Sequence, residues 1–430
     1  MLLIQNGYII DPKSHREGKY DILIDRDKIV KIDRRLVKPS GKCRVINAEG
    51  LLVSPGLVDV HVHFRDPGFT DKEDIMTGAA AAAKGGFTTV VMMANTNPHI
   101  DNTDTLKQVL EKGRETGIRV LTCANVTKEM KGIELTDMET LARNGASGFT
   151  DDGVPLMDEA LVTEAMKRAA RLDMPISFHE ENPEYIGNNG INMGKASAHY
   201  GIQGSSREAE ISLVERDLKL AAETGAIVNI QHISAKESVE LIRHAKKAGF
   251  NIHAEATPHH FTLTEEAAIT YGTLAKMNPP LREEADRQEI IRGLADGTID
   301  IIATDHAPHT NEEKSQPITA APSGIIGLET SLALGITELV GEGYLTLRQL
   351  IAAMSTNPAA MYHIDAGYIA EGGPADLVLI DTAADVTVGN YASKASNSPF
   401  TGWKLKGKVV NTICAGELVY SCKKHLSKKI

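Results

Sequence analysis

The feature that most limits the fold of this sequence is an alternation of strand-like and helix-like segments through its middle. Eight apolar runs have the length and composition of buried strands. They lie at residues 57–62, 87–93, 118–124, 146–150, 175–179, 226–232, 250–256 and 299–304. Most of the helix-like segments between them end in glycine, a common helix terminator. The alternation predicts an α/β fold, a (β/α)8 TIM-like barrel. An open doubly wound sheet is the alternative, but no G-x-G-x-x-G follows the first strand.

The two ends of the chain have a different pattern from the middle. Residues 1–54 and the residues from about 366 onward consist of short strand-like runs separated by turn residues. We therefore predict two domains. Residues 1–54 and 366–430 form a small β-sandwich domain from both termini, and residues 55–365 form the barrel.

Composition excludes several classes of protein. The formal net charge is -11, and the only basic run is the short "KKHLSKK" near the C-terminus, which predicts a solvated terminus and no nucleic-acid partner. No apolar run reaches membrane-spanning length, and the N-terminus lacks the basic and apolar regions of a signal peptide. Four cysteines without a C-x-x-C pair fit a reducing, cytoplasmic location.

The end of the first barrel strand carries the strongest chemical signal. His61 and His63 are two residues apart in "DVHVHFRDPG", so their side chains share one face of the strand with Asp59. In a barrel of this type the active site lies at the C-terminal strand ends. Paired imidazoles beside a carboxylate at that edge predict a divalent metal site.

Three further strands end in residues of the same chemistry. His179 ends the fifth strand, His232 ends the sixth, and Asp305 ends the eighth. One catalytic zinc usually takes three protein ligands. Four histidines and an aspartate exceed that need, and they predict two metal ions about 3.5–4 Å apart.

Two adjacent aspartates, Asp151 and Asp152, end the fourth strand in "SGFTDDG". Two metals that close need an anionic bridge to screen one cation from the other. Strand alternation places Asp152 on the face opposite Phe149. If Phe149 packs outward against helices, Asp152 points to the metals and Asp151 belongs to the loop. The argument depends on the strand continuing past Thr150.

Several motifs together resemble the cyclic amidohydrolases, and more closely the bacterial type I dihydroorotases. They are "DVHVHFRDPG", "GGFTTVVMMANTNP", "TDDG", "HEEN", "AEATPHH", "KMNPPLR", "ATDHAPHT" and "SPFTGWKLKGKV". The resemblance implies two zinc ions per subunit. His61, His63 and Asp305 hold the first, His179 and His232 hold the second, and Asp152 bridges both.

The resemblance also implies a reaction, the reversible cyclisation of N-carbamoyl-L-aspartate to L-dihydroorotate in pyrimidine biosynthesis. A hydroxide that bridges the metals is the implied nucleophile, and Asp305 is the implied general acid/base. The implied substrate contacts are His63, Arg65, Asn95, Asn278, His309, Ser323 and Gly324. Arg65 suits this role because its guanidinium can bind a carboxylate in a bidentate manner; an ion pair with Asp66 is the alternative.

Some positions depart from the family pattern. Ala94 stands where proline is frequent, and Ser323 stands where phenylalanine is frequent, which weakens the expected backbone contact at Gly324. Residues 310–324 are long and polar, and we predict a mobile loop over the site. The resemblance further implies a homodimer and leaves association with aspartate transcarbamoylase open.

Two other functions share parts of this pattern. Hydantoinases and allantoinases bridge their metals with a carboxylated lysine at the fourth strand, and residues 144–166 contain no lysine. Lys236 and Lys276 could approach the site, but both lie past strand ends. An inactive scaffold for aspartate transcarbamoylase would have lost metal ligands, and every ligand is present. His259 and His260 are expected only to support the site, and His306 to point away from Asp305.

Overall fold

The computed structural model of the protein describes residues 1–422, so the predicted solvated tail at 423–429 lies outside the described residues. The strands are β1 Leu2–Asp11, β2 Arg16–Asp25, β3 Lys28–Asp33, β4 Arg44–Asn47, β5 Leu52–Pro55, β6 Leu57–Val62, β7 Phe87–Met92, β8 Arg119–Thr122, β9 Ile176–Phe178, β10 Val228–Ile230, β11 Ile252–Ala256, β12 Ile301–Ile302, β13 Leu377–Thr387, β14 Lys404–Cys414 and β15 Glu417–Ser421.

The α-helices range from one turn to nearly five turns in length. They are α1 Ile75–Gly85, α2 Thr103–Arg114, α3 Met138–Arg143, α4 Glu159–Leu172, α5 Lys195–Tyr200, α6 Glu208–Thr224, α7 Lys236–Lys247, α8 Pro258–Thr262, α9 Glu266–Tyr271, α10 Glu284–Asp296, α11 Asn311–Lys314, α12 Ser331–Leu334, α13 Leu347–Ile351 and α14 Asn357–Met361. Two π-helical segments, Gly335–Val340 and Ala352–Thr356, follow α12 and α13.

The predicted barrel is confirmed. Strands β6, β7 and β8 form one parallel sheet, and β9, β10, β11 and β12 form another. Parallel bridges close both seams between them. Phe149 pairs with Ala124 and Ile176 on one side, and Val62 pairs with His306 on the other. The seven strands and the short fourth strand at Phe149 make eight, and their C-terminal ends therefore meet at one edge of a closed barrel.

The fourth barrel strand is paired along most of the predicted run at 146–150, since the Ser147 N–H donates to the Thr122 carbonyl at 2.9 Å and the Thr150 N–H donates to the Ala124 carbonyl at 3.0 Å. Phe149 is bridged on both sides, where the Ala124 N–H donates to the Gly148 carbonyl at 3.0 Å and the Ser177 N–H donates to the Phe149 carbonyl at 2.9 Å. The chain leaves the sheet after Thr150, where the Asp151 carboxylate accepts hydrogen bonds from the neighbouring loop at 125–127. Phe149 itself is fully buried in the main hydrophobic core.

The helices predicted between the strands have clear local causes. Asp74, Asn102 and Asp158 cap the first turns of α1, α2 and α4 by accepting hydrogen bonds from backbone N–H groups. Gly86 ends α1 in a left-handed conformation, with φ of 95°. A side chain there would be strained, and its Cβ would lie 3.0 Å from Val378. These caps fix the residues at which the helices begin or end, and therefore where the chain continues to the next strand.

Strands from both ends of the chain pair with one another. They form one eight-stranded sheet in the order β15-β14-β13-β5-β1-β2-β3, with β4 on β1. The antiparallel pairing of β5 with β13 joins the N-terminal strands to the C-terminal ones. The strands thus form a continuous sheet rather than two separate ones, and the division into domains at residues 54 and 366 stays a prediction.

One connection of this sheet reaches the barrel. It consists of residues 388–403, between β13 and β14, and we call it the return segment. The Ile326 N–H donates to the backbone carbonyl of Asn397 at 3.1 Å, which ties the return segment to a barrel loop. Within residues 1–422, no helix has both the length and the apolar character that a membrane crossing requires.

Candidate functional site

Six polar side chains converge at the C-terminal edge of the barrel. His61 lies on β6 and His63 directly follows it, while His179, His232 and Asp305 lie just past the ends of β9, β10 and β12. Asp152 follows the bridged residue of the fourth strand. All six are buried, with exposed fractions of at most 8%. The structure therefore brings every predicted metal ligand to one place.

The carboxylate of Asp152 lies between two pairs of histidines. Its Oδ1 is 3.5 Å from His61 Nε2, 3.6 Å from His179 Nδ1 and 3.8 Å from His232 Nε2. Its Oδ2 is 3.4 Å from His63 Nε2. Two groups of possible ligand atoms result, one with His61 and His63 and the other with His179 and His232, and Asp152 belongs to both.

Asp305 completes the group around the first pair of histidines. Its Oδ1 is 3.1 Å from His63 Nε2 and 3.5 Å from His61 Nε2. The backbone of Asp305 has a φ of 47°, an uncommon conformation for this residue type that is often found at functional sites. The aspartate thus faces the same pair of histidines as one oxygen of Asp152.

Three of the four histidines are held from behind by an oxygen acceptor. The pairs are His61 Nδ1 with Glu255 Oε2 at 2.9 Å, His63 Nδ1 with Asn95 Oδ1 at 3.0 Å, and His179 Nε2 with Glu181 Oε2 at 3.1 Å. Each contact places a proton on the nitrogen that points away from the centre. The lone pair of the other ring nitrogen then faces the centre, as metal binding requires.

The electrostatics of the site are dominated by its carboxylates. Burial opposes a charge on His61, but Asp152 and Glu255 outweigh that cost and raise its pKa well above the usual value. Burial also opposes a charge on His179, and Asp152 and Glu181 nevertheless raise its pKa to about 10. Burial would raise the pKa of Asp152, but the surrounding histidines lower it well below its usual value. The centre is therefore built around anionic carboxylates that attract positive charge.

The residues fit a bound metal. Among residues 1–422, neither His61 Nε2 nor Asp152 Oδ1 has a hydrogen-bond partner, although buried polar atoms normally have one. Both atoms point into the centre, where imidazole nitrogens and carboxylate oxygens face one another. This donor set is the one that zinc and similar divalent cations prefer. The site therefore indicates a metal cofactor.

Asp151 has a different environment from its neighbour. Its carboxylate accepts hydrogen bonds from the Val126 N–H at 2.8 Å, the Thr127 N–H at 3.1 Å and the Asn125 side chain at 3.2 Å. The Thr127 hydroxyl donates to it as well. The loop at 125–127, rather than continued strand alternation, therefore separates the two aspartates, because the pairing of the strand ends at Thr150.

A cavity of about 370 Å³ opens above the metal centre. It is lined by six of the seven predicted substrate contacts: His63, Arg65, Asn95, Asn278, Ser323 and Gly324. His309 does not line it; its Nε2 lies 3.4 Å from Arg65 Nη2. The segment 319–322, part of the loop predicted to lie over the site, also lines the cavity, as does Asn189, which was not predicted because it lies neither at a strand end nor in a recognisable motif.

Arg65 presents a guanidinium without a carboxylate partner. Its contacts are the Pro308 carbonyl, at 3.3 Å from Nε, and His309. Asp66, the alternative partner expected from the sequence, pairs with Lys112 at 2.8 Å instead. Because Arg65 forms no ion pair with any residue in 1–422, its charge is available to an anionic ligand in the cavity.

The polar loop at 310–324 is held at several points. Lys314 donates to the carbonyls of Thr273 at 2.9 Å and Pro322 at 2.8 Å. Lys276 lines the cavity and donates to the Ala321 carbonyl at 2.7 Å, while its own carbonyl accepts from the Gly324 N–H at 2.9 Å. The Gly324 N–H is therefore already engaged, and the predicted mobility of this loop stays a prediction.

Two histidines near the centre, His260 and His306, have local partners. His260 Nε2 is 3.1 Å from the carbonyl of Pro279, next to Asn278. His306 lies with its Nδ1 3.1 Å from the Gly327 N–H and its Nε2 3.5 Å from Glu73. Two acids that sequence reasoning did not single out, Glu181 and Glu255, support the metal ligands. Glu255 could have been noticed as a charged residue inside the apolar strand β11.

Comparison with known proteins gives a consistent result. Residues 52–419 match the model of the amidohydrolase family. A dihydroorotase of Clostridioides difficile (strain 630) is 56% identical over 421 residues, which cover 98% of this chain and 100% of the relative. A dihydroorotase of Clostridium acetobutylicum is 52% identical over 425 residues, with the same two coverages. One of Lactococcus lactis subsp. lactis is 51% identical over 423 residues, again covering 98% and 100%.

Solved structures share the fold at lower sequence identity. An L-hydantoinase (dihydropyrimidinase) from Arthrobacter aurescens superimposes with a TM-score of 0.87 and 25% identity, covering 98% of this chain and 96% of the other. A dihydropyrimidinase from Brevibacillus agri has a TM-score of 0.86 at 24% identity, covering 99% and 96%. The second likeness bears on the fold alone.

Proposed function

Since this chain belongs to the amidohydrolase family, we propose that it is a dihydroorotase, which interconverts N-carbamoyl-L-aspartate and L-dihydroorotate in pyrimidine biosynthesis. Relatives of that name are 51–56% identical to it over nearly the whole chain. The observation that carries the proposal is the position of Asp152. An aspartate lies between the two histidine pairs, at the place where hydantoinases and allantoinases use a carboxylated lysine.

We propose zinc as the metal, with two ions per subunit. His61, His63 and Asp305 would hold one ion, His179 and His232 the other, and Asp152 would contact both. When bound, such ions polarise a carbonyl group and lower the pKa of water toward neutrality. The shared carboxylate and the two separate groups of ligand atoms support this arrangement.

We assign proton transfer to Asp305. Burial would raise the pKa of this carboxyl, but its contact with His63 and the other nearby histidines lowers it, so the group is ionised and can accept a proton. In hydrolysis of the ring, the C–N bond breaks as a C–O bond forms. Asp305 takes the proton from the attacking water and delivers it to the departing ring nitrogen. The reverse sequence closes the ring.

Arg65 would bind the carboxylate that the substrate retains in both its open and closed forms. Its guanidinium lines the cavity and has no carboxylate partner of its own among the described residues. Asn95 and Asn278 line the same cavity and can bind the polar edges of the ring. Because the Gly324 N–H donates to Lys276, a contact from this loop falls to Ser323.

The test is an assay of the purified, zinc-loaded protein with L-dihydroorotate, hydantoin and allantoin side by side. We expect hydrolysis of dihydroorotate, followed by ultraviolet absorbance, and its loss on chelation. Preferential hydrolysis of hydantoin or allantoin would contradict the proposal and assign the protein to a sister activity. Absence of turnover with all three, despite bound zinc, would favour an inactive scaffold.

Replacement of Asp305 tests its role directly. We expect Asp305→Asn to lower kcat by about 10²–10⁴-fold, the usual contribution of a general acid or base. The amide keeps the size of the side chain, and zinc content and thermal unfolding are measured beside kcat because Asp305 is also a proposed metal ligand. Turnover close to that of the unmodified protein would show that another group transfers the proton.

A cytoplasmic location and a homodimeric assembly are further proposals. The first rests on the sparse, unpaired cysteines, which suit a reducing compartment. The second rests on the family alone, as does the open question of a transcarbamoylase partner. Gel filtration with light scattering would measure the subunit number.

A further inference from the structure

The return segment, residues 388–403, inserts one buried amide between two loops of the active site. Asn397 is 1% exposed. Its Oδ1 accepts a hydrogen bond from the His309 N–H at 3.1 Å. Its Nδ2 donates to the Ala307 carbonyl and to the Gly324 carbonyl, each at 3.1 Å. One side chain therefore satisfies three backbone groups on two different loops.

The partners determine the orientation of this amide. The His309 N–H is a donor and needs the oxygen, while two carbonyl groups are acceptors and need the NH₂ group. Asparagine is the one common side chain of this length that offers both. An aspartate would place an oxygen against two carbonyl oxygens, and a leucine would leave all three backbone groups without a partner.

Both loops carry groups that the proposed function uses. The first follows β12 and contains Asp305 and His309. The second contains Ser323 and Gly324, which line the cavity. The loops are also in close contact, because a Cβ added to Gly324 would lie 2.8 Å from the Cβ of Ala307. A small shift of either loop would therefore change the shape of the cavity wall.

The return segment is itself firmly attached to the barrel. The Lys394 N–H donates to Glu73 at 3.2 Å, and the Ser393 hydroxyl donates to the same fully buried carboxylate. The Ala392 N–H donates to Glu329 at 2.8 Å. Because these contacts fix the chain just before Asn397, the segment can hold the loops rather than merely follow them.

We propose that Asn397 is a positioning residue for substrate binding. It holds the His309 loop and the Ser323–Gly324 loop at the spacing that the carboxylate-bearing substrate requires. This inference rests on the proposed function for its substrate. It assigns a role in the active site to the return segment, which connects β13 and β14 of the sheet formed by both chain ends. The motif "SPFTGW" begins immediately after Asn397 in this segment.

Asn397→Ala tests the proposal in the zinc-loaded, full-length protein. We expect the KM for L-dihydroorotate to rise about tenfold. The variant loses the three buried hydrogen bonds that hold the two loops, and such a loss changes a binding equilibrium by about one or two orders of magnitude. We expect kcat to fall less than about threefold and the zinc content to stay unchanged, since Asn397 contacts no proposed metal ligand. Ser396→Ala is the matched control, because the hydroxyl of this exposed neighbour donates to the Asn311 side chain at 3.3 Å and to no backbone group of either loop.

A purely structural role for Asn397 would give a different result. It would lower thermal stability and the yield of active protein, but KM would stay the same for the folded fraction. Unchanged KM in Asn397→Ala, with dihydroorotate still hydrolysed, would therefore overturn the inference and leave the proposed function intact. Failure of the unmodified protein to hydrolyse dihydroorotate would instead contradict the proposed function.

Hydrogen exchange supplies a measurement that needs no turnover and no variant. In the unmodified protein we expect the amides of His309 and Ile326 to exchange slowly and at similar rates, because both donate to Asn397. Fast exchange at His309 would contradict the proposal even if the alanine variant does not fold. If the variant folds, its His309 amide should exchange faster while amides of β6 stay protected.

Discussion

Two adjacent aspartates show how much the surroundings of a residue decide its role. Asp151 accepts hydrogen bonds from the loop at 125–127, whereas Asp152 faces four histidines. Asp151 binds the loop at 125–127 to the end of the fourth strand. Asp152 belongs to both groups of side chains that can hold a metal ion. The neighbouring positions in the sequence therefore have separable functions.

Alanine variants of the two aspartates should separate these functions. We expect Asp152→Ala to lose at least about half of the bound zinc, because it removes a ligand common to both groups. We expect Asp151→Ala to keep its zinc but to lose about 1–3 kcal/mol of unfolding free energy, because backbone donors lose their acceptor. Metal analysis and urea unfolding measure the two quantities. Zinc loss in Asp151→Ala and destabilisation alone in Asp152→Ala would contradict both roles.

Residues at strand ends could be predicted, and residues that act through other residues could not. His61, His63, His179, His232 and Asp305 each stand where an apolar run ends, which is a signal in the sequence. Glu181 and Asn397 have no such signal, and Glu255 is marked only as a charged residue inside the apolar strand β11. Asn397 is 88 residues away from His309, and only the folded chain brings the two together.

At the scale of secondary structure, apolar runs predicted the barrel because most of its strands, such as β6 and β7, are buried on both faces. The fourth strand shows the limit of that reasoning. Its backbone pairing ends at Thr150, where the buried carboxylate of Asp151 binds the loop at 125–127 instead of continuing the strand. The hydrophobicity of the run does not show where hydrogen bonds to a buried carboxylate replace the pairing between strands, so it does not predict where the strand ends.

The short helix α11 and the loop around it contain an unusually placed lysine. Lys314 is 5% exposed, and burial together with the nearby charge of Lys276 lowers its pKa to about 7. In the unfolded chain its pKa is near 10.5. Between these two values the unfolded state binds more protons than the folded state. Stability contributed by this site therefore rises as pH increases from about 7 and is reduced at lower pH.

Lys314→Met should remove this pH dependence. We expect the unfolding free energy of the unmodified protein to gain about 2 kcal/mol more than that of the variant between pH 7 and 9, since one proton is worth about 1.4 kcal/mol per pH unit. Urea unfolding at both pH values measures the difference. Lys107→Met, on the exposed face of α2, is the matched control. Parallel pH profiles for Lys314→Met and the unmodified protein would show that Lys314 titrates as usual when folded.

At the scale of the whole molecule, the proposed metal ligands connect strands that are distant along the barrel. Ligands come from the ends of β6, β9, β10 and β12 and from the short fourth strand. A metal that binds only the folded chain stabilises it by roughly 3 kcal/mol at a hundredfold excess over its Kd. The closed barrel should therefore be less stable without metal.

Removal of metal tests this link between the centre and the fold. We expect a chelator to lower Tm by several degrees and added zinc to restore it. Asp152→Ala should respond less to the chelator, because it holds less metal at the start. Differential scanning calorimetry measures both proteins. An identical Tm with and without chelator would contradict this prediction, because it would show that bound metal does not stabilise the folded chain.

The pairing of β5 with β13 has a consequence for how the protein is made. The partner of β5 lies more than 300 residues later in the chain, so at about 5–20 residues per second roughly 15–60 s pass on the ribosome before β13 emerges. During that interval one edge of β5 has no mate, and such an edge invites pairing with another nascent chain. Asn397 emerges later still. The last part of the chain thus covers the exposed edge through β13 and ties two loops of the cavity together through Asn397, so a polypeptide released early would carry every proposed metal ligand and still lack the support of the cavity wall.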